Sequence, residues 1–429
     1  MHHISRVSVE GFWDTHDLEL NLFPEVTFLI GPNGTGKTTL INLISAALTV
    51  DFRNLDRIPF KKISINLDGS GDDGPRITVL KNKKKDRPFD LIEYRIRSGG
   101  RNTHETRYSL EDIEDHLVRR YASDTRFGRD YYRYMPSELG EKIQGLVKVN
   151  WLSVHRTPII ERPRDERPYE SAVDQRLETI SNDLVRFFST LSQRKDDEVR
   201  KFQESIFISL VDNQKVGDLF DTSSLEDIDK FVDVLNFIFA ELHVSQDHSN
   251  DLLREFMSRG HQVTERIHRS PKDRGMDIDD AVYLLGLRRI SAIVDRWNSL
   301  QERLTDIFAP RDRWLKIAND LFQRKKMQLT SSNELQFISR SGKILKTNML
   351  SSGEKQLLIL LSETLLQREM PTVFIADEPE ISLHVLWQEK LVSSLRSLNP
   401  SAQIIFATHS PDIVGGLSKR AIDMETIIP

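Results

Sequence analysis

The sequence predicts an α/β fold in which a mixed β-sheet with flanking helices is split by a helical insertion. Apolar residues alternate at a strand period in residues 4–10 and again from about residue 325, whereas residues 169–322 follow a helical period almost throughout. We therefore expect two lobes of one domain at residues 1–150 and 326–429, separated by the helical insertion at residues 151–325.

The composition limits the class of protein. The chain has 429 residues, of which 38% are hydrophobic and 29% charged, so we expect a packed core together with long exposed helices. Because the net charge is −5, any nucleic-acid site would have to be a local basic patch. The chain has no cysteine, which excludes disulfides and thiolate metal sites. Without a long apolar run or a signal peptide, it is expected to be cytoplasmic.

Short strands are predicted on both sides of a glycine-rich loop near the N-terminus. Alternating or apolar runs predict strands at 4–10, 18–22 and 26–30 before the loop, and an apolar-periodic helix at 37–49 after it. The further predicted strands are 63–67, 77–80, 91–96, 147–154, 327–329, 335–338 and 343–345.

The loop itself, GPNGTGKT, fits the phosphate-binding pattern G-x-x-x-x-G-K-[ST]. Its glycines let successive backbone N–H groups point at phosphate oxygens, and the following helix adds its positive N-terminal end. Lys37 should reach the β- and γ-phosphates of ATP, and the Thr38 hydroxyl should be a ligand of Mg²⁺. A glycine-rich turn without a ligand is the alternative, which the strand–loop–helix context disfavours. The predicted ATP-binding residues are Asn33, Gly34, Thr35, Gly36, Lys37, Thr38 and Thr39.

Two apolar seams with alternating spacings of three and four residues predict paired helices in the insertion. They are formed by Val173, Leu177, Ile180, Leu184, Phe187 and Leu191, and by Ile290, Ile293, Trp297, Leu300, Leu304 and Ile307. Both seams are short, so we expect a helical bundle or a short coiled-coil arm, formed within the chain or between subunits. Between them we expect an apolar helix over 231–242 and a charged loop over 258–277.

Residues 109–134 begin with a helical pattern and continue with a stretch rich in Arg and Tyr. Basic residues interleaved with aromatic ones could bind nucleic acid through phosphate contacts and base stacking. A solvated connector with packed tyrosines is the favoured alternative. The basic residues concerned are Arg119, Arg120, Arg126 and Arg129.

The stretch LSSGEKQ, with Ser351, Ser352, Gly353 and Glu354, precedes a strongly apolar helix over 357–367. Small residues and a hydroxyl at a helix N-terminus make an anion-binding site, although alone they would be an ordinary helix cap. The stretch resembles the signature motif of ABC-type ATPases, with Ser352 in place of the usual Gly and Glu354 in place of the usual Gln. In that family the signature contacts the γ-phosphate held by the opposite subunit.

An apolar strand over 372–376 ends in Asp377 and Glu378. Asp377 should hold Mg²⁺ through its water shell, and Glu378 should act on the attacking water as general base or by orienting it. A structural turn at the strand end is the alternative, which the accompanying motifs disfavour. Glu380 is either structural or supports a dimer contact, and residues 381–384 occupy the place of the ABC D-loop.

A further apolar strand ends at His409, and a helix is predicted over 385–398 before it. A lone histidine after a strand is usually structural. In the ABC family, however, this position is the switch histidine, which contacts the γ-phosphate and links hydrolysis to movement. The predicted catalytic residues are therefore Glu378 and His409.

These four motifs, in this order, identify the chain as a member of the ABC-type ATPases. The long separation of loop and signature resembles the SMC and RecF side of that superfamily. DEPEISLHVLWQ followed by ATHSP resembles more narrowly the AAA15/AAA21, OLD-like ATPases, which include the antiviral AriA protein of PARIS systems and PtuA protein of Septu and retron systems. The resemblance covers residues 1–67 and 326–429. It makes Arg156 a candidate nucleotide sensor, while no Q-loop glutamine is placed.

The resemblance implies an ABC ATPase head that forms a homodimer or higher homo-oligomer. Two ATP·Mg²⁺ would lie between Lys37 of one subunit and Ser351 of the other. It also implies a role in prokaryotic antiviral defence, in which the ATPase senses infection and controls or scaffolds an effector such as a nuclease or toxin. The printed chain carries no Toprim nuclease domain after His409, so we expect that effector to be a separate protein. The alternatives are a DNA repair or chromosome-maintenance ATPase that binds DNA directly, and a scaffold that binds ATP without hydrolysing it.

Overall fold

The computed structural model describes residues 2–68, 74–82, 91–99, 105–109, 137–152, 172–211, 228–241, 245–269 and 277–428. The strands of these residues are β1 (Ile4–Phe12), β2 (His16–Asn21), β3 (Val26–Ile30), β4 (Lys62–Leu67), β5 (Arg76–Asn82), β6 (Leu91–Arg97), β7 (Glu105–Ser109), β8 (Val149–Leu152), β9 (Lys325–Leu329), β10 (Leu335–Ser339), β11 (Ile344–Leu345), β12 (Thr372–Asp377), β13 (Ala402–Ala407) and β14 (Ala421–Asp423). The α-helices are α1 (Lys37–Thr49), α2 (Phe52–Arg57), α3 (Ser137–Leu146), α4 (Ala172–Val211), α5 (Ile228–Glu241), α6 (Gln246–Arg269), α7 (Ile278–Leu321), α8 (Ser352–Leu366), α9 (Val385–Leu398) and α10 (Pro411–Val414).

A five-stranded parallel sheet, in the order β14-β3-β13-β12-β8, carries the predicted motifs. Its strands β3, β12 and β13 are almost continuously buried, as expected for a parallel sheet that is covered on both faces. Because all five strands run the same way, the carboxyl ends of β3, β12 and β13 meet at one edge. The residues that follow those strands are therefore brought together.

The other strands pair antiparallel. One sheet has six strands in the order β2-β1-β4-β5-β6-β7, and a small sheet has the order β11-β10-β9. Along β5 and β6 buried residues alternate with more exposed ones, which is the pattern of a sheet with one face on the core. The predicted α/β fold with a long helical insertion is confirmed, and its strands are divided between parallel and antiparallel sheets.

One hydrophobic core joins the six-stranded sheet, the parallel sheet and α1. It includes Phe12 of β1, Leu40 of α1, Ile65 of β4, Val373 of β12 and Ile405 of β13, all essentially inaccessible to solvent. This shared core supports the glycine-rich loop between β3 and α1.

The chain divides into two compact units, residues 1–187 with 310–429, and residues 188–309. The two divisions fall inside the long helices α4 and α7. The second unit has its own apolar clusters, in which Phe202 stacks edge-on against Trp297. The three-part division predicted from the sequence remains a prediction, as does the pairing of the seams as a coiled coil.

The predicted loop over 258–277 is wrong for residues 258–269, because α6 continues to Arg269, and residues 270–276 lie outside the described residues. Leu253 and Val263 are buried at helical spacing, and Phe256 packs on Tyr283. A single glycine, Gly260, did not end the helix because this apolar face is covered. No helix among the residues that the structure describes is long and apolar enough to cross a membrane.

Candidate active site

The backbone conformation of the loop between β3 and α1 depends on its glycines. Gly31, Gly34 and Gly36 have φ angles of +138°, +89° and +81°, which L side chains rarely adopt. A Cβ atom on Gly36 would also lie 2.9 Å from the ring of Trp13. The loop therefore takes its shape both from backbone conformation and from a close aromatic neighbour.

Lys37 is buried at the start of α1, and its ammonium lies inside the loop. Nζ donates hydrogen bonds to the carbonyl oxygens of Gly31 at 2.7 Å and Pro32 at 2.9 Å. Burial lowers the pKa of Lys37, and this effect is partly opposed by Glu378, Asp377 and Asp423. A cation held on two neutral carbonyls, with carboxylates nearby, is placed to exchange those carbonyls for phosphate oxygens.

Thr38 and Asp377 are brought together from distant parts of the sequence. The Thr38 hydroxyl donates to Oδ1 of Asp377 at 3.0 Å, joining the first turn of α1 to the end of β12. A hydroxyl and a carboxylate fit Mg²⁺, which is bound in many sites by one or two protein oxygens together with substrate phosphates. Among the described residues no group of three or more His, Asp or Glu side chains could hold a metal by itself, so such an ion would also need the phosphates.

Glu378 and His409 face each other beside this pair. Oε1 of Glu378 lies 3.9 Å from Nε2 of His409, and both side chains are about one-third exposed. Glu378 has a φ angle of +47°, and its N–H donates to the carbonyl of Ala407 at 2.8 Å. A non-glycine residue held in this conformation by the neighbouring strand is a form of local strain that occurs at functional sites.

The signature residues form a complete capping box at the N-terminus of α8. The Ser351 hydroxyl and N–H both donate to Oε2 of Glu354, and the Glu354 N–H is directed back to the Ser351 oxygen. Lys325 donates to the same oxygen of Glu354 at 2.6 Å. Burial alone would raise the pKa of Glu354, but the hydrogen bonds from Lys325 and Ser351 outweigh it and lower the pKa. Glu354 is thus an ionised cap that organises its own helix.

Gly353 allows α8 to approach the segment after Glu378. A Cβ atom on Gly353 would lie 2.2 Å from the carbonyl oxygen of Ser382. In addition, the side-chain amide of Gln356 donates to the carbonyl of Pro379 at 3.0 Å. The signature helix and residues 379–383 are therefore packed backbone against backbone.

Gly353→Ala is expected to lower the free energy of unfolding by ~1–3 kcal/mol, because the added methyl group would force two backbone segments apart. Chemical denaturation measures this loss. Gly140→Ala in α3 is the matched control, since a Cβ atom there meets nothing within 4 Å. In a helix that replacement should stabilise by ~0.5–1 kcal/mol. Equal stability of the two variants would show that Gly353 and Ser382 are not in close contact.

The predicted residues thus fall into two groups. Lys37, Thr38, Asp377, Glu378 and His409 converge at one edge of the parallel sheet. Within the part of the chain that the structure describes, the side-chain hydrogen bonds and ion pairs of the signature residues are made to each other and to β9 instead. The remaining loop residues Asn33, Thr35 and Thr39 lie on or beside the loop, where Thr35 donates to the Pro32 carbonyl at 2.9 Å.

Three contributors to the site were not found from the sequence. Trp13 lies against Gly36, Asp423 lies at the end of β14 beside Gly31, and Lys325 pairs with Glu354. For Asp423 the only signal was a three-residue strand, which is too short to recognise. The predicted basic residues Arg119, Arg120, Arg126, Arg129 and Arg156 lie outside the described residues.

Comparison with known proteins gives a family and distant structural likenesses. The protein-family model described as AAA ATPase domain (AAA_15) matches residues 3–414. One similar solved structure is the Smc head domain of Pyrococcus furiosus, with an extended coiled coil and bound to the C-terminal domain of ScpA. It is 12% identical to this chain with a TM-score of 0.39, and the match covers 99% of this chain and 94% of that chain. The Smc head domain of Pyrococcus yayanosii, with a coiled coil and joint, is 13% identical with a TM-score of 0.37, covering 96% and 93%. The SMC head domain from Thermotoga maritima is 13% identical with a TM-score of 0.33, covering 98% and 92%. The family assignment rests on the model match alone.

Proposed function

The chain belongs to the AAA ATPase domain family, and from this premise we propose that it binds ATP with Mg²⁺ and hydrolyses it to ADP and phosphate. The observation that carries the proposal is the 3.0 Å contact between Thr38 and Asp377. It joins the phosphate-binding loop to a strand end that also carries Glu378, and Glu378 faces His409.

Each residue has a role in the proposed reaction. Lys37 and the loop N–H groups bind the β- and γ-phosphates and neutralise their charge. Thr38 and Asp377 would hold Mg²⁺, which when bound supplies further charge neutralisation. Glu378 orients a water molecule and accepts its proton while the water oxygen bonds to the γ-phosphorus. The bond from that phosphorus to the β–γ bridging oxygen breaks, and His409 contacts the transferred phosphoryl group.

We propose further that two copies of the chain share each site. Ser351 and its helix N-terminus on one copy would contact the γ-phosphate held by Lys37 of the other. Exposed apolar side chains flank the signature and the segment packed against it, which supports a surface that a second copy covers. They are Met349, Ile381, Val385 and Leu386. In this arrangement Glu354 shapes the signature helix, and Ser351 with the backbone N–H groups binds the anion.

The test of the reaction is the release of phosphate from ATP by the purified chain. Turnover should require Mg²⁺ and should stop when the metal is removed by EDTA, because the Thr38 hydroxyl and the Asp377 carboxylate carry no positive charge to set against the phosphates. ATP that is bound and retained without release of phosphate would contradict hydrolysis and favour a scaffold. Equal turnover with and without a divalent cation would contradict the roles of Thr38 and Asp377.

For the biological role, we propose an ATPase of prokaryotic antiviral defence that controls or scaffolds a separate effector, such as a nuclease or toxin. Support comes from the resemblance of residues 377–388 and 407–411 to the OLD-like defence ATPases, including the AriA and PtuA proteins. The exposed apolar residues next to the signature offer a surface for assembly.

The role is tested with tagged Glu378→Gln chain expressed from its native locus and purified with ATP and Mg²⁺ before and after phage infection. A stoichiometric nuclease or toxin-like partner that is released or changed on infection would support defence. Recovery of DNA and recombination proteins, without a response to infection, would contradict defence and favour a DNA repair or chromosome-maintenance ATPase. DNA binding in that case should be sensitive to salt.

A further inference from the structure

One oxygen of Glu380 fixes the chain on both sides of His409. Oε1 accepts hydrogen bonds from the Thr408 hydroxyl at 2.5 Å, the His409 N–H at 2.9 Å and the Ser410 N–H at 3.2 Å. These three donors belong to consecutive residues directly after β13. A single carboxylate oxygen therefore sets the course of the backbone that carries the imidazole.

The other oxygen of Glu380 is buried and accepts no hydrogen bond from the residues that the structure describes. A buried oxygen without a partner is costly, and a carboxylate more so than a neutral group. The stabilising hydrogen bonds at this position are those to Oε1, and Oε2 adds none from the described residues. An unpaired buried polar atom of this kind calls for another explanation, such as a functional one.

We propose that Glu380 is a positioning residue that holds His409 at its working distance from Glu378. The proposal rests on the hydrolysis proposed above. The N–H of Glu378 donates to the carbonyl of Ala407 at 2.8 Å, and the N–H of Thr408 donates to the carbonyl of Leu29 at 3.1 Å. The backbone at Glu378 is thus anchored on β13, and the backbone at Thr408 is anchored on β3. The turn that follows is held by Glu380 and, through the Ser410 hydroxyl, by Gln388, and among the described residues only Glu380 bonds to the His409 N–H.

Glu380 also lies in the segment that touches the signature helix. Residues 379–383 contact α8 through the carbonyls of Pro379 and Ser382. On the other side Gln388 of α9 donates to the Leu383 carbonyl at 2.9 Å and accepts from the Ser410 hydroxyl at 2.7 Å. Glu380 therefore lies between the signature helix and the backbone that carries His409.

The experiment compares kcat and KM for ATP in variants of the full chain. Glu380→Ala should lower kcat by ~10–100-fold, because a catalytic group displaced by about an ångström loses rate of this order. KM should change less than ~2-fold, since Lys37 and Thr38 are untouched. In a His409→Ala background, Glu380→Ala should add less than a ~2-fold loss, because the two residues act as one unit.

Two conservative variants distinguish the position of the acceptor oxygen at residue 380 from the charge of its side chain. Glu380→Gln keeps an acceptor oxygen at full reach and should stay within ~3-fold of wild type, whereas Glu380→Asp keeps the charge but withdraws the acceptor by one methylene and should lose ~10-fold or more. This pair also decides the matter if Glu380→Ala fails to fold. Glu302→Ala, which removes an exposed carboxylate on α7, is the control and should leave kcat unchanged.

Three results would overturn the positioning role. The first is a wild-type kcat in Glu380→Ala. The second is a fall in kcat in the His409→Ala background as large as the fall that Glu380→Ala causes alone. The third is a higher kcat for Glu380→Asp than for Glu380→Gln. Wild-type chain that binds ATP without turnover is a different failure, because it contradicts the proposed hydrolysis and with it any effect of Glu380 on rate.

Discussion

Glu378→Gln is expected to lower the turnover number for ATP by ~10²–10⁴-fold, the usual contribution of a positioned general base. The amide keeps the shape of the carboxylate but cannot accept the proton of the attacking water. Because Lys37, Thr38 and Asp377 are unchanged, ATP and Mg²⁺ should still bind. The variant should therefore accumulate as an ATP-bound dimer, which light scattering with and without ATP can detect.

The same assay on Glu302→Gln gives the matched control, since that carboxylate is exposed on α7 and is not part of any predicted site motif. Normal turnover in Glu378→Gln would remove Glu378 from the mechanism. In that case a different residue would have to orient the water, and the contact at 3.9 Å with His409 would be structural.

Lys37→Ala is expected to weaken ATP binding by ~100-fold or more, since two lost charge-assisted hydrogen bonds of ~1.5 kcal/mol each correspond to about that factor. The variant also leaves the carbonyls of Gly31 and Pro32 without the ammonium that bonds to them. Turnover should be lost together with binding. Equilibrium titration with a fluorescent ATP analogue measures the affinity directly.

Lys316→Ala is the control for the loss of one positive charge, because this lysine is exposed on α7. Its ATP affinity should equal that of wild type. Retained affinity in Lys37→Ala would mean that the loop holds something other than the phosphates of ATP. Reduced affinity in both variants would point to the overall charge of the chain as the cause.

The sequence was informative wherever a motif followed a buried strand. β3, β12 and β13 are parallel and covered on both faces, so each appears as a continuous apolar run that ends in polar residues. The motifs at these strand ends predict that Thr38, Asp377 and His409 serve one site, and the parallel strand order explains how they meet. The helices α1, α8 and α9 follow from their apolar spacing and from the residues that begin them.

Tertiary contacts were not predictable in the same way. No local pattern shows that Glu354 meets Lys325 of β9, or that Gly353 lies against Ser382. The strand β7 was missed because its sequence, ETRYS, is polar and lies at a sheet edge. The continuation of α6 beyond residue 258 was missed because the charged residues and the one glycine of this segment predict a loop. The structure shows that its apolar residues form a buried helix face.

The shared site is tested most directly by mixing two inactive chains, one with Lys37→Ala and one with Ser351→Arg. In a mixed dimer one site combines the intact Lys37 of one chain with the intact Ser351 of the other. With random exchange, half of the dimers are mixed and one of their two sites is whole, so phosphate release should return to about one quarter of the wild-type rate. A mixture no more active than the sum of its two components would contradict a site completed by a second copy of the chain.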